Sequence, residues 1–226
     1  MKFILAICII WLIGSSEENY RIQGVQINCS TNHYDSQERY IELKQNNALV
    51  RKDIKTKHGK FVIDNLAPGH YVLKYKNKFG QICSREIILN KSKTYKVQLC
   101  TDQFMDLKES TYFDTIKNDT LFLEFRSSGC FHTLKENIKF FKNNSNLTAQ
   151  LHDENGEMTE VILNKTSIEA VSLFMRKLYS FQDAMGGCTT AETYILRMKD
   201  RDDLLVRDRT CEWKGYDELR MQLFNK

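Results

Sequence analysis

The sequence holds a single proline in 226 residues, and it has no C-x-x-C pair, no G-x-S-x-G, no Walker-type phosphate loop and no dinucleotide fingerprint. The last three absences remove the enzyme classes most readily detected by motif. The missing C-x-x-C removes the usual spacing of a zinc site or a redox pair. Apolar runs are short as well. The one that opens the chain, Phe3 to Gly14, has 12 residues, against roughly 20 for a helix that crosses the hydrocarbon core. The scarcity of proline, beside abundant Lys, Asn and Ile, reads as AT-rich coding rather than chemistry. Charge of one sign is also lacking: the net charge is only +4, which implies no nucleic-acid partner.

What is present at the N-terminus is an address. Lys2, the apolar run and the small polar stretch Ser15-Ser16-Glu17-Glu18 come in the order of a secretory signal. Residues 1–16 are expected to be removed near Ser16, with no membrane span afterwards. Cys8 comes directly after the bulky Ile7, too early in the run for a lipidated cysteine. Cleavage leaves Cys29, Cys83, Cys100, Cys130, Cys188 and Cys211, an even set that favours disulfides in an oxidising compartment. If Asn90-Lys91-Ser92-Lys93 turns a hairpin between Arg85–Leu89 and Thr94–Leu99, Cys83 and Cys100 fall opposite one another. Cys188 and Cys211 bracket a second expected hairpin. Cys29 and Cys130 are left as a third pair joining the two halves, or as buried thiols. Asn-x-Ser/Thr patterns begin at Asn28, Asn90, Asn118, Asn143, Asn146 and Asn164 and are glycan acceptors in a eukaryotic host.

From Tyr20 to Cys100 the chain reads as short strands separated by turns: Gly24–Cys29, Arg39–Leu43, Lys60–Ile63, His70–Tyr75, Gln81–Leu89 and Thr94–Leu99. The segment from Gly59 to Leu73, with Phe61 and Ile63 on one side, Pro68-Gly69 at the turn and Tyr71 and Leu73 returning to one face, resembles the prealbumin-like, carboxypeptidase-regulatory-like sandwich repeats of exported proteins. That resemblance implies a stalk, spacer or ligand-presenting module rather than a reaction. Residues 17–100 are therefore expected to form an antiparallel β-sandwich. Residues 101–116, with Asp102, Asp106, Lys108, Glu109 and Ser110, are expected to link it to a second domain.

Residues 117–226 read as a small α+β domain with an antiparallel sheet and two helices. Leu121, Leu123 and Phe125 alternate as a strand, Ile138–Phe141 is another, and Leu147–Leu151 and Met158–Leu163 flank the Asn155-Gly156 turn. Thr166-Ser167-Ile168-Glu169 reads as a capping box opening a helix whose apolar stripe is Ile168, Val171, Phe174, Met175, Leu178 and Phe181. A hairpin of Thr190–Met198 and Leu204–Arg209 and a short helix from Asp217 to Phe224 complete it. Ser128-Gly129-Cys130-Phe131-His132 and Cys211-Glu212-Trp213-Lys214-Gly215-Tyr216 resemble segments of uncharacterised exported proteins of Bacteroidota-like bacteria.

Candidate chemistry is sparse. Cys130 and His132 are the one thiol–imidazole pair, without a visible oxyanion element. His132, His152 and Asp153 carry metal-ligand types at arbitrary spacing. Asp200, Asp202, Asp203 and Asp208 lack the calcium-loop order and alternate with Arg201, Arg207 and Arg209. Arg51, Lys52, Lys55, Lys57, His58 and Lys60 form the local basic cluster, suited either to an anionic polysaccharide or lipid headgroup or to a solvated strand edge. No cofactor or metal is implied. The overall expectation is a non-enzymatic exported binding protein of the periplasm, cell surface or exterior, taking a protein or glycan ligand, with the sandwich as a presenting module and the C-terminal α+β domain as the binding unit; the alternative is a hydrolase or thiol enzyme centred on Cys130 and His132.

Overall fold

The computed structural model describes residues 19–35, 37, 39–90, 93–105, 107, 110–116, 119–181, 186 and 188–224. The expected signal sequence with Cys8 and Ser16, the turn residues Lys91 and Ser92, the boundary residues Asp106, Lys108 and Glu109, and Asn118 lie outside these.

The N-terminal unit is a β-sandwich built from β1 (Tyr20–Asn28), β2 (His33–Tyr34), β3 (Ile41–Gln45), β4 (Ala48–Arg51), β5 (Lys60–Leu66), β6 (Gly69–Lys76), β7 (Ile82–Leu89) and β8 (Thr94–Cys100). One sheet has the order β4-β3-β6-β7; in the other, β1 pairs with β5 and β2 along one edge and with β8 along the other. The inner faces meet through Ile22, Ile41, Leu43, Phe61, Leu73, Ile87 and Leu99, all buried. This is the period-2 pattern that the sequence displays, since alternate side chains of a strand share a face. Gly24 is required by close approach, because a Cβ there would lie 1.9 Å from the Phe61 ring. Pro68 sits in the turn after β5, braced by Tyr71 Oη donating to Ala67 O at 2.9 Å.

Four expectations are corrected here. The sandwich is not wholly antiparallel, because β8 runs parallel to β1 from Arg21↔Thr94 to Ile27↔Cys100. Residues 82–100 are also not a hairpin: β7 pairs with β6 in one sheet, whereas β8 crosses to the other. That crossover separates Cys83 from Cys100. Cys100 instead bonds to Cys29, with Cα atoms 5.2 Å apart, because the parallel register sets the end of β8 opposite Ile27, beside the turn after β1. Cys83 is a buried thiol whose Sγ donates to Gln81 O at 3.9 Å. The postulated link between Cys29 and Cys130 is likewise absent, and Cys130 is an exposed thiol.

The C-terminal unit is one antiparallel sheet in the order β12-β11-β10-β9-β13-β14, formed by β9 (Leu121–Gly129), β10 (His132–Asn143), β11 (Asn146–His152), β12 (Met158–Ile162), β13 (Ala191–Met198) and β14 (Leu204–Asp208). Helices α1 (Lys165–Ser180) and α2 (Gly215–Phe224) pack on it through Val171, Phe174, Met175, Leu178, Leu219 and Leu223. The N-cap of α1 is Asn164, whose Oδ1 accepts Ser167 N at 2.9 Å. It stands two residues before the expected capping box, because the asparagine already offers the side-chain acceptor that the first turn needs. Tyr216 Oη donates to buried Glu136 Oε2 at 2.8 Å and ties α2 to β10. Cys188 and Cys211 are bonded, with Cα atoms 5.8 Å apart.

The two units keep separate cores, joined where Phe79 of the sandwich enters that of the C-terminal unit. Phe79, on the turn between β6 and β7, stacks on Phe104 with centroids 3.8 Å apart, and Phe104 and Phe181 reach Trp213. Lys78 Nζ pairs with Glu212 at 2.8 Å. Within the 101–116 segment Thr101, Thr111, Phe113 and Ile116 are buried while Gln103, Met105, Ser110 and Asp114 are exposed, and Gln103 O accepts from Asn77 Nδ2 at 2.9 Å. Among the described residues no helix is long and apolar enough to cross a membrane.

On the helix-covered side of the sheet, Glu192 and Asp208 stand directly opposite on β13 and β14. Burial pushes both carboxyls above their usual range; Tyr194 Oη donates to Glu192 at 2.6 Å and partly offsets this, and Asp208 Oδ2 has no hydrogen-bond partner among the described residues. Lys214 and Asp217 are further charges acting on Glu192.

These bonds set two expected outcomes. Cys130 should react with a disulfide reagent in the native state and Cys83 only in denaturant; breaking the Cys29–Cys100 bridge, which closes a 71-residue separation, should cost about 4 kcal/mol of stability by denaturant titration. A carboxyl raised in the folded state binds protons there before it does in the unfolded chain, so its destabilising effect is absent well below the ordinary values of 3.8 and 4.5 and grows as pH rises above them. Glu192→Gln should therefore raise the thermal midpoint at pH 7 relative to wild type and change it little at pH 3.

Candidate functional site

The outward face of the β8-β1-β5/β2 sheet forms an ordered grid. The register sets Val62, Gln23 and Lys96 in one row, Lys60, Val25 and Gln98 in the next, and Tyr34, Ile27 and Cys100 in a third. Two adjoining concavities open on this face and on the loop beside it, with volumes of about 870 and 630 Å³, and they share Tyr34, Lys60, Phe61 and Val62. Val62 is 52% exposed and Tyr34 is 60% exposed, so the floor is apolar and open. Their combined lining carries the cations Lys55, Lys57, Lys60, Arg85 and Lys96 together with His58, and it contains no carboxylate among the described residues. Lys60 Nζ lies 5.0 Å over the Tyr34 ring, within cation–π range.

The sequence builds this edge with a tight hairpin. Lys57 and Lys60 exchange backbone hydrogen bonds of 2.8 and 3.0 Å, and the two central residues, His58 and Gly59, have φ of 51° and 73°. That is the mirror-image turn which suits the strand twist. Only glycine fits its second position, since a Cβ on Gly59 would stand 2.6 Å from Asp35 O. Tyr34 is held from beneath. Asp35 N donates to Gln26 O at 3.0 Å, and the Asp35 carboxylate pairs with Arg39 Nε at 2.7 Å in a buried contact. Burial pushes Asp35 up, but its hydrogen bonds to Arg39 and Thr101 outweigh burial and hold it below the usual carboxylate range. At the turn after β1, Asp102 accepts from Cys29 N and Ser30 N at 2.7 and 2.9 Å.

Of the expected basic cluster, Lys55, Lys57, His58 and Lys60 come together around the second concavity, whereas Arg51 and Lys52 stay outside both linings. Tyr34, Gln23, Lys96 and Gln98 do not stand out in the sequence. The alternation of β1 is a signal for Gln23, but the neighbours that Gln23 meets on β8 come from a strand more than 70 positions away.

The other candidates are not assembled. Cys130 lies in the turn between β9 and β10, and His132 Nε2 is engaged by Ser127 Oγ at 2.9 Å rather than by the thiol. His152 lies on β11, where it contacts Gln150 of the same strand at 3.0 Å, and Asp153 accepts from Asn155 N and Glu157 N within its own turn. Asp203 pairs with Arg197 at 3.0 Å, while Asp208 is buried and turned toward Thr210. Among the described residues no three of His, Cys, Asp and Glu converge as metal ligands.

No family model matches the sequence, and no curated protein matches it. Among solved structures the chain is similar to BcpA, the major pilin subunit of Bacillus cereus, with 9% identity over 64% of this chain and 67% of that one and a TM-score of 0.33. It is also similar to a streptococcal ancillary pilin, with 10% identity over 85% of this chain and 59% of that one and a TM-score of 0.30. The likeness of the C-terminal half to exported Bacteroidota-like proteins finds no support in these comparisons.

Gly59→Ala should destabilise the hairpin by about 1–3 kcal/mol, the cost of a strained backbone position. A lowered denaturation midpoint with little change for Lys57→Gln, which touches no backbone constraint, would separate turn geometry from side-chain loss.

Proposed function

We propose that this chain is a non-enzymatic exported binding protein whose prealbumin-like sandwich presents an anion-binding face. The observation that carries the reading is the lining itself: Lys60 and Lys96 on the β1-centred sheet, with Lys57 from the adjoining turn and Arg85 from β7 of the other sheet, around an exposed valine and tyrosine floor and with no carboxylate in the described lining. Surface charges of one sign attract a counter-charged ligand and speed its encounter, and salt weakens that attraction. The Cys29–Cys100 and Cys188–Cys211 disulfides suit an oxidising exterior, whether periplasm, cell surface or medium. In this reading the C-terminal unit fixes the sandwich through Phe79, Phe104 and Trp213 and contributes no reaction.

The triple variant Lys57→Gln, Lys60→Gln, Lys96→Gln should bind immobilised dextran sulfate about tenfold more weakly at low salt, if each exposed ionic contact contributes about 0.5 kcal/mol, with a flatter salt dependence. Lys135→Gln, Lys139→Gln, Lys142→Gln removes the same net charge from the other unit and should bind as wild type does. Equal losses in the two triples would reduce the binding to bulk charge and sink the reading.

A further inference from the structure

Resting on the anion-binding reading above, we propose that the ligand is an extended acidic polysaccharide, laid across the two adjoining concavities with Tyr34 as its stacking platform. The cations are distributed rather than convergent. Lys60 and Lys96 stand on outer strands either side of β1 and two residues out of register; with strands about 4.8 Å apart and a rise of about 3.3 Å per residue, their Cα atoms are roughly 12 Å apart. A single phosphate or sulfate cannot reach both, whereas a polymer with a negative charge on successive residues meets one after the other.

The chemistry between the cations selects a sugar over a peptide. Gln23 and Gln98 lie in the same rows as the lysines and offer amide donors and acceptors to hydroxyl groups. Val25, Val62 and the exposed part of the Tyr34 ring not covered by Lys60 Nζ, which lies 5.0 Å over it, present the apolar area against which the C–H face of a pyranose packs. An acidic peptide strand binds best by extending a ladder at a sheet edge, but this site is the face of the sheet, and β1 at its centre has both edges already paired. A bilayer presents a plane of headgroups, which matches two concavities meeting at Lys60 and Tyr34 less closely than a single chain laid along them does.

The test uses the full chain and four probes: alginate as a polyuronate, dextran as its neutral counterpart, poly-L-glutamate, and phosphatidylglycerol vesicles. Calorimetric titration should show binding to alginate that falls with added salt and none to dextran. Tyr34→Ala should weaken alginate binding about tenfold, as expected for loss of an aromatic packing surface, and leave any poly-L-glutamate binding unchanged, while Tyr34→Phe should restore alginate binding. Tyr34 is exposed, so unchanged thermal midpoints would show both variants to be folded; if Tyr34→Ala lowers the midpoint, Gln98→Ala carries the same comparison. Poly-L-glutamate or vesicles binding as tightly as alginate, or indifference to Tyr34, overturns the polysaccharide assignment and leaves the anion-binding face standing. Failure of all three anionic probes overturns both, and equal binding of dextran overturns the role of the lysines.

Discussion

The double pairing of β1 is the constraint on which the sandwich and its outward face both depend. A strand hydrogen-bonded along both edges cannot slip by one residue without turning Ile22 out of the core and Gln23 into it. The register is pinned at several points. Gly24 leaves room for Phe61 to lie across the backbone, Cys29 is bonded to Cys100, and the Asp102 carboxylate holds the turn beyond. Each of these fixes the interior, and each thereby fixes the outward rows. Binding groups on such a surface lose little freedom when a ligand arrives, which is where a preorganised site gains affinity over a floppy one.

The second constraint is the aromatic joint. Phe79 belongs by sequence to the sandwich, yet it is buried in the core of the C-terminal unit, stacked on Phe104. The turn that carries it is locked by Asn77, whose Oδ1 accepts from Phe79 N and Gln81 N at 3.0 and 2.9 Å. A buried amide satisfied this fully is a rigid support, because every alternative would strand a polar group away from water. Phe79 therefore meets the C-terminal unit through a packed contact.

How much of this is legible in the sequence divides along contact range. Alternating strands, the Pro68-Gly69 turn and the apolar stripe of α1 are local patterns, and they correspond to what the structure contains. A pairing of Cys83 with Cys100 rests on treating consecutive strands as neighbours in one sheet, and the crossover between sheets breaks that assumption; β8 finds its partner in β1, at the far end of the unit. The lysine cluster is visible because its members are adjacent in sequence, but its completion by Tyr34, Gln23, Lys96 and Gln98 is not, since sheet faces are assembled from distant segments. The capping asparagine of α1 is masked by a motif two residues later that matches the capping-box pattern without making the cap.

Cations alone do not distinguish the sandwich face, and the C-terminal sheet shows why. Its outward side also carries Arg126, Lys135 and Arg197, but these gather on Glu124. Burial pushes that carboxyl up, and Arg197 and Arg126 outweigh burial and hold it below its usual range. Their charge is spent inside the cluster, and the field they project is correspondingly small. Arg21 at the far end of the sandwich face is similarly matched by Asp64. The lining around Lys57, Lys60 and Lys96 holds no carboxylate among its described residues. Setting like charges near one another on a folded surface costs stability, a cost that a merely solvated face could have relieved with a single Asp or Glu. A lining without such a residue, over a floor that is apolar and exposed, is the feature on which the proposal of an anionic partner rests.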